Sequence, residues 1–152
     1  MKKGFTLIEL LITIAIIGIL STLAMANFFS ARERGRDAQR KSDLKSMQNA
    51  LQLFYSTYGK YPTSSSGSIV GCGTSPAFSS CTWGSAFTVD DLVIMNTLPK
   101  DPLPTTAYFY TRTDLDTYSL KACLENKSDD KGQADSGSSS WCPTQYTYTV
   151  AP

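Results

Sequence analysis

The pattern of apolar and polar positions changes character twice along this chain. From Phe5 to Phe29 it reads FTLIELLITIAIIGILSTLAMANFF, and from Leu10 to Ala31 it runs 22 residues without a charge. At ~1.5 Å per residue, a helix over that run is roughly 33 Å long, enough to cross a hydrocarbon core of about 30 Å. A membrane-spanning helix over 5–31 is expected, because a buried helix of a soluble domain seldom stays apolar on every face. Residues 31–43 are instead charged around most of the helix, with Asp37 and Lys41 four apart and Glu33 and Arg36 three apart. Those spacings favour ion pairs along a solvated helix. Leu44, Met47, Leu51, Phe54 and Tyr58 then recur at steps of three and four, which places them on one face as a core seam. Gly59 suits a left-handed cap and Pro62 cannot continue the helix. A single helix from about Phe5 to Tyr58 follows, apolar in its first half and amphipathic over 32–61.

The rest of the chain, 62–152, reads as a small head. Residues 63–87 are rich in Ser, Gly and Thr and are expected to form a surface excursion. Thr88-Val89-Asp90-Asp91 resembles a capping arrangement before Leu92 and Met95, which predicts a short helix stopped by Pro99. Strands are expected over 107–112, 117–124 and 145–150, where Tyr118, Leu120, Ala122 and Leu124, and then Tyr146, Tyr148 and Val150, alternate with polar or small residues. Asp114-Leu115-Asp116 supplies the turn between the first two. The fold class is α+β: a long N-terminal helix packed against a small antiparallel sheet.

Composition sharpens this picture. The formal charge is +1 over 152 residues, but 30–60 sum to +4 and 61–152 to −4, so a basic shaft is cancelled by an acidic head. The total argues against a nucleic-acid binder. Histidine is absent, which removes Ser/His/Asp and Cys/His triads and His-ligated zinc or haem. The aromatic residues, 8 Tyr, 7 Phe and 2 Trp, read as core and sheet residues rather than as a route for electrons or a platform for single-stranded DNA. Cys72, Cys81, Cys123 and Cys142 form an even set without C-x-x-C spacing, which points to two disulfides in an oxidising compartment. Pairing Cys72 with Cys81 and Cys123 with Cys142 closes the shortest loops. Six cations between Arg32 and Lys45 would by the positive-inside tendency hold the head in the cytoplasm. The cysteines oppose that, and the cations are partly offset by Glu33, Asp37 and Asp43.

Glu9 stands alone in the apolar run. A charge in a membrane segment is expensive and marks a functional partner, unless it sits near one end and reaches interfacial water. A secretory signal peptide fits less well: the apolar stretch is too long, and the nearest small-x-small site, Ala24-Met25-Ala26, lies inside it. Lys2-Lys3-Gly4 before Phe5-Thr6-Leu7-Ile8-Glu9-Leu10-Leu11 resembles the N-terminal signature of type IV pilins and type II secretion pseudopilins. That resemblance implies a leader of residues 1–4, cleavage between Gly4 and Phe5 by a prepilin peptidase, and N-methylation of Phe5. It also implies assembly through Phe5 and Glu9, the carboxylate pairing with a neighbouring subunit's new amino terminus and so fixing the stagger between subunits. Many pilins carry a proline in the second half of this segment. Here Gly18 is the only strong helix weakener.

The head resembles the family too, in Leu98-Pro99-Lys100-Asp101-Pro102 followed by Tyr108-Phe109-Tyr110 and Tyr118-Ser119-Leu120, a stretch like that of major pseudopilins. In those proteins a loop between the last strands can bind calcium, and Asp129, Asp130 and Asp135 are the matching carboxylates. Their spacing fits no EF-hand, and a solvated acidic loop is the plainer reading. Asn126-Lys127-Ser128 also matches the N-glycosylation pattern, which is common by chance.

The implied function is a structural, non-enzymatic one. The subunit would sit in the bacterial inner membrane with its head extracytoplasmic, contact lipid, the peptidase, an assembly platform and motor and other minor pilins, and pass into a homo-oligomeric periplasmic or extracellular filament. The alternatives are a monomeric membrane-anchored binding module and a DNA-uptake pilin.

Overall fold

The computed structural model describes residues 4–152; Met1–Lys3 of the expected leader lie outside the described residues, as do the side chains at positions 23, 24, 26 and 27. One helix, α1 (Leu7–Tyr58), runs unbroken for 52 residues, through Gly18, which makes it roughly 78 Å long. It ends on Gly59, whose φ of 65° is the left-handed conformation that glycine adopts without a Cβ clash, and whose N–H bonds the Tyr55 carbonyl.

The head packs against α1 from Arg36 onward. Three strands follow the helix directly: β1 (Thr63–Ser65), β2 (Ser68–Cys72) and β3 (Ser79–Ser80), antiparallel in that order. The surface excursion expected over 63–87 is therefore a sheet, and it contributes Ile69, Cys81 and Phe87 to the core. β4 (Phe87–Val89) and β5 (Leu92–Met95) form a hairpin where the sequence suggested a short helix. The cause is the turn: Asp90 and Asp91 have φ of 47° and 66°, the positive pair that a tight I′-like hairpin turn requires and that Asp tolerates better than most residues.

The main sheet holds β6 (Phe109–Asp114), β7 (Thr117–Cys123), β8 (Gln133–Ala134) and β9 (Tyr146–Val150) in the order β6-β7-β9-β8, all antiparallel. The three expected strands are present within two residues at each end, and β8 adds a short edge that the sequence did not signal. On β7, Tyr118, Leu120 and Ala122 point inward, as their alternation requires. They meet the α1 seam of Leu44, Met47, Leu51 and Phe54, each 0–1% exposed, in one core. Burying four such side chains stabilises the head by roughly 1.5–3 kcal/mol apiece against exposure. Disulfides join Cys72 to Cys81 and Cys123 to Cys142, each with Cα atoms 5.2 Å apart.

The N-terminal half of α1 touches none of this. Every large apolar side chain described from Phe5 to Phe29 is more than half exposed. The spanning role expected of 5–31 is not confirmed by the structure: among the described residues no helix is long and apolar enough to cross a membrane.

Candidate assembly site

The helix start is built by Thr6. Its backbone is extended (φ −84°, ψ 149°), and its Oγ1 accepts the Glu9 N–H at 3.3 Å, while Glu9 Oε2 accepts the Thr6 N–H at 2.9 Å and the Thr6 hydroxyl at 2.6 Å. This is a capping box, in which two helix-end donors that lack intrahelical partners are satisfied reciprocally. Thr6-Leu7-Ile8-Glu9 carries the S/T-x-x-E spacing that could have revealed it from sequence. Gly4 and Phe5 precede the helix in open, non-helical chain; Phe5 is 77% exposed and nothing lies within 4 Å of a Cβ built on Gly4. Both residues of the expected cleavage junction are thus exposed among the described residues. Phe5 and Glu9, the two expected assembly residues, sit within one turn of each other at the tip of an apolar rod.

Midway along α1 the charged stretch 31–43 is only partly solvated: Arg32, Glu33 and Arg34 are exposed, but two residues are buried. Arg40 is 0% exposed and Asp37 is 1%. Arg40 Nε and Nη2 donate to the two Asp101 oxygens, each at 2.9 Å, and its Nη1 donates at 2.7 Å to both Asp37 Oδ1 and Glu125 Oε1. Arg36 holds Glu125 from the other side, with contacts of 2.7 and 2.5 Å. Asp37 also accepts the backbone N–H groups of Glu125 and Asn126. Among the described residues no buried side-chain polar atom lacks a partner. Asp37 thus pairs with Arg40, and Lys41, its expected partner, bonds Asp129 instead. The reason is tertiary: the turn after β7 brings its own carboxylates and N–H groups onto the helix, and they displace the local spacing rule. Burial works against the charge on Arg40, but the carboxylates outweigh it and hold its pKa above the ordinary value. The bonds from Arg36 and then Arg40 hold Glu125 below the usual carboxylate range.

The three aspartates matched to a calcium loop do not converge. Asp129 bonds Lys41 and the Lys131 N–H, and Asp135 bonds Lys121 Nζ at 2.7 Å. Among the described residues no group of carboxylates or cysteines is arranged to hold a metal, so Asp129, Asp130 and Asp135 are ion-pair and surface residues here. The lysines that claim two of them supply the charge that a cation would have brought.

Comparison with known proteins adds a separate line of support. Residues 1–25 match the prokaryotic N-terminal methylation motif. The chain is 42% identical over 60 residues to the type IV major pilin protein PilA of Myxococcus xanthus, a match covering 40% of this chain and 27% of that protein. It is 33% identical over 66 residues to the type II secretion system core protein G of Aeromonas hydrophila and of Escherichia coli, covering 43% of this chain and 46% of each. The chain spans less than half the length of these curated relatives. No solved structure matches. Fold and motif together are pilin-like, and the chain is similar to both type IV pilins and type II secretion pseudopilins.

Proposed function

We propose that the chain is a structural subunit that polymerises through its N-terminal helix into a type II secretion pseudopilus or a related type IV pilus-like filament. The observation that carries this reading is the apolar stretch from Phe5 to Phe29, whose described large apolar side chains are all more than half exposed. So large a continuous apolar surface demands a cover, and lipid followed by copies of the same helix is the cover that a methylation-type N-terminus supports. The similarity to core protein G supports the secretion filament, and that to PilA the type IV pilus.

In this reading the subunit waits in the inner membrane with residues 5–31 in lipid and its disulfide-bonded head outside the cytoplasm. A prepilin peptidase cuts between Gly4 and Phe5, Phe5 is methylated, and a platform and motor drive insertion beside other pilins. The new amino terminus of one subunit then takes up Glu9 of the next. No catalytic role is proposed for any residue.

Intact-mass analysis of protein from the native membrane should show loss of Met1–Gly4 and one added methyl group. An intact leader would overturn the reading. Glu9→Ala should leave the head folded and lower filament yield at least tenfold. Thr6→Ala, which removes only the cap and costs about 1 kcal/mol at the helix start, should lower it far less. Equal losses in the two variants would reduce Glu9 to a capping residue.

A further inference from the structure

The chain has two tryptophans, 58 positions apart in sequence, and both line one cleft on the face of the head. Trp83 stands two residues beyond Cys81 and Trp141 one residue before Cys142, so each has a disulfide as a near neighbour in sequence. Both are half-buried. The cleft between them measures about 520 Å³, within the range of sites for small organic ligands.

The walls are held rigidly. Trp83 packs edge-on against Tyr108 with centroids 5.9 Å apart, and Tyr108 is pinned by its hydroxyl donating to Asp43 at 2.6 Å. Trp141 lies flat on Phe109, with centroids 5.1 Å apart and planes 12° from parallel. Phe109 in turn occupies the space that a side chain at Gly67 would need: a Cβ there would fall 2.5 Å from its ring. The Ser66–Gly67 turn between β1 and β2 also lines the cleft and is tied to β6 by the Tyr110 N–H bonding the Gly67 carbonyl at 2.8 Å. Serine hydroxyls, among them Ser66 and Ser140, edge the cleft, and none of the described residues that line it is charged.

We propose that this cleft binds an uncharged carbohydrate chain. The two indoles of the lining offer aromatic surface to the C–H faces of pyranose rings, and its serines offer donors and acceptors to ring hydroxyls. Aromatic faces with a few placed polar groups are the general composition of a ligand site, and here they are fixed before any ligand arrives. The uncharged lining selects against anionic sugars and against nucleic acid, whose phosphates need cations. The site is complete within one head, so it does not depend on the filament reading; a filament would repeat it along its length.

The test uses the full chain in micelles of a zwitterionic detergent without a sugar headgroup. Linear hexasaccharides of glucose, mannose and N-acetylglucosamine serve as probes, and the readout is tryptophan fluorescence, which arises only in this cleft. At least one neutral hexasaccharide should give a saturable change with a Kd at or below about 1 mM, some 4 kcal/mol of binding. Trp141→Ala and Trp83→Ala, each read through the remaining tryptophan, should weaken it at least tenfold while the melting transition of the head is retained. Because Trp83 packs on Tyr108 and Trp141 on Phe109, loss of fold in one variant leaves the other as the test. Absence of any change up to about 10 mM sugar, unchanged affinity in a folded variant, or tighter binding of a short single-stranded DNA would each overturn the proposal.

Discussion

Arg40 carries the join between shaft and head. Its guanidinium is wholly buried, grips Asp101 through two parallel bonds and shares its remaining reach between Asp37 and Glu125. Arg40→Ala strands two buried carboxylates and should destabilise the head by about 3–5 kcal/mol, read from urea unfolding followed by near-ultraviolet circular dichroism. Arg40→Lys should recover only part of that, because one ammonium cannot reproduce the planar two-bond grip on Asp101. The acid limb of stability follows from the neighbours. Glu125 is held below its ordinary range by Arg36, Asp129 by Lys41 and Asp135 by Lys121. Groups whose pKa is lower in the folded chain give stability that is present above the unfolded value and lost as pH falls through the folded one. The head should therefore keep its full melting temperature above about pH 5 and lose it progressively below pH 4. None of this was legible from the sequence around residue 40. Arg40 meets Asp101 across 61 positions and Glu125 across 85, and the local i,i+4 spacing pointed to Asp37 with Lys41.

Among the elements, α1 was readable almost to the residue because periodicity, Gly59 and Pro62 all agree. The β4–β5 hairpin was not, because Thr-Val-Asp-Asp serves equally as a helix start or as a strand entering a tight turn, and pairing with a distant core decides between them. Asp90 keeps its place in that turn by accepting from the Tyr58 hydroxyl and the Ser75 N–H. Asp91 is exposed and has a φ of 66°, so Asp91→Gly should raise stability by about 0.5–1 kcal/mol in thermal unfolding. The Cys123–Cys142 bridge closes a loop over a sequence separation of 19. Replacing both with serine should cost about 3 kcal/mol on the chain-entropy account, visible as a lower urea midpoint. The tryptophan cleft escaped the sequence for another reason: aromatic residues in strands and loops look alike until the fold shows which ones share a surface.

For the whole molecule, the expected division into greasy rod, shaft and head rests on where charge and apolar residues are placed rather than on distant contacts. Every residue described as buried lies at or beyond Asp37. A chain shortened to begin at Ala31 should thus keep the folded head and melt within a few degrees of the full chain, while losing all capacity to assemble. A marked drop in its melting temperature would show that the rod supports the head.

The shaft has no joint between its exposed tip and Tyr58. Tension applied to the rod consequently travels along backbone hydrogen bonds straight into the head, and the first anchorage it meets is the Arg36–Asp37–Arg40 cluster, ahead of Leu44 and the apolar seam. That cluster joins α1 to the head through several short bonds made side by side, from Arg36 and Arg40 to Glu125 and from Arg40 to Asp101. The buried ions are thus one fastening of stem to head, set nearer the rod than the apolar seam.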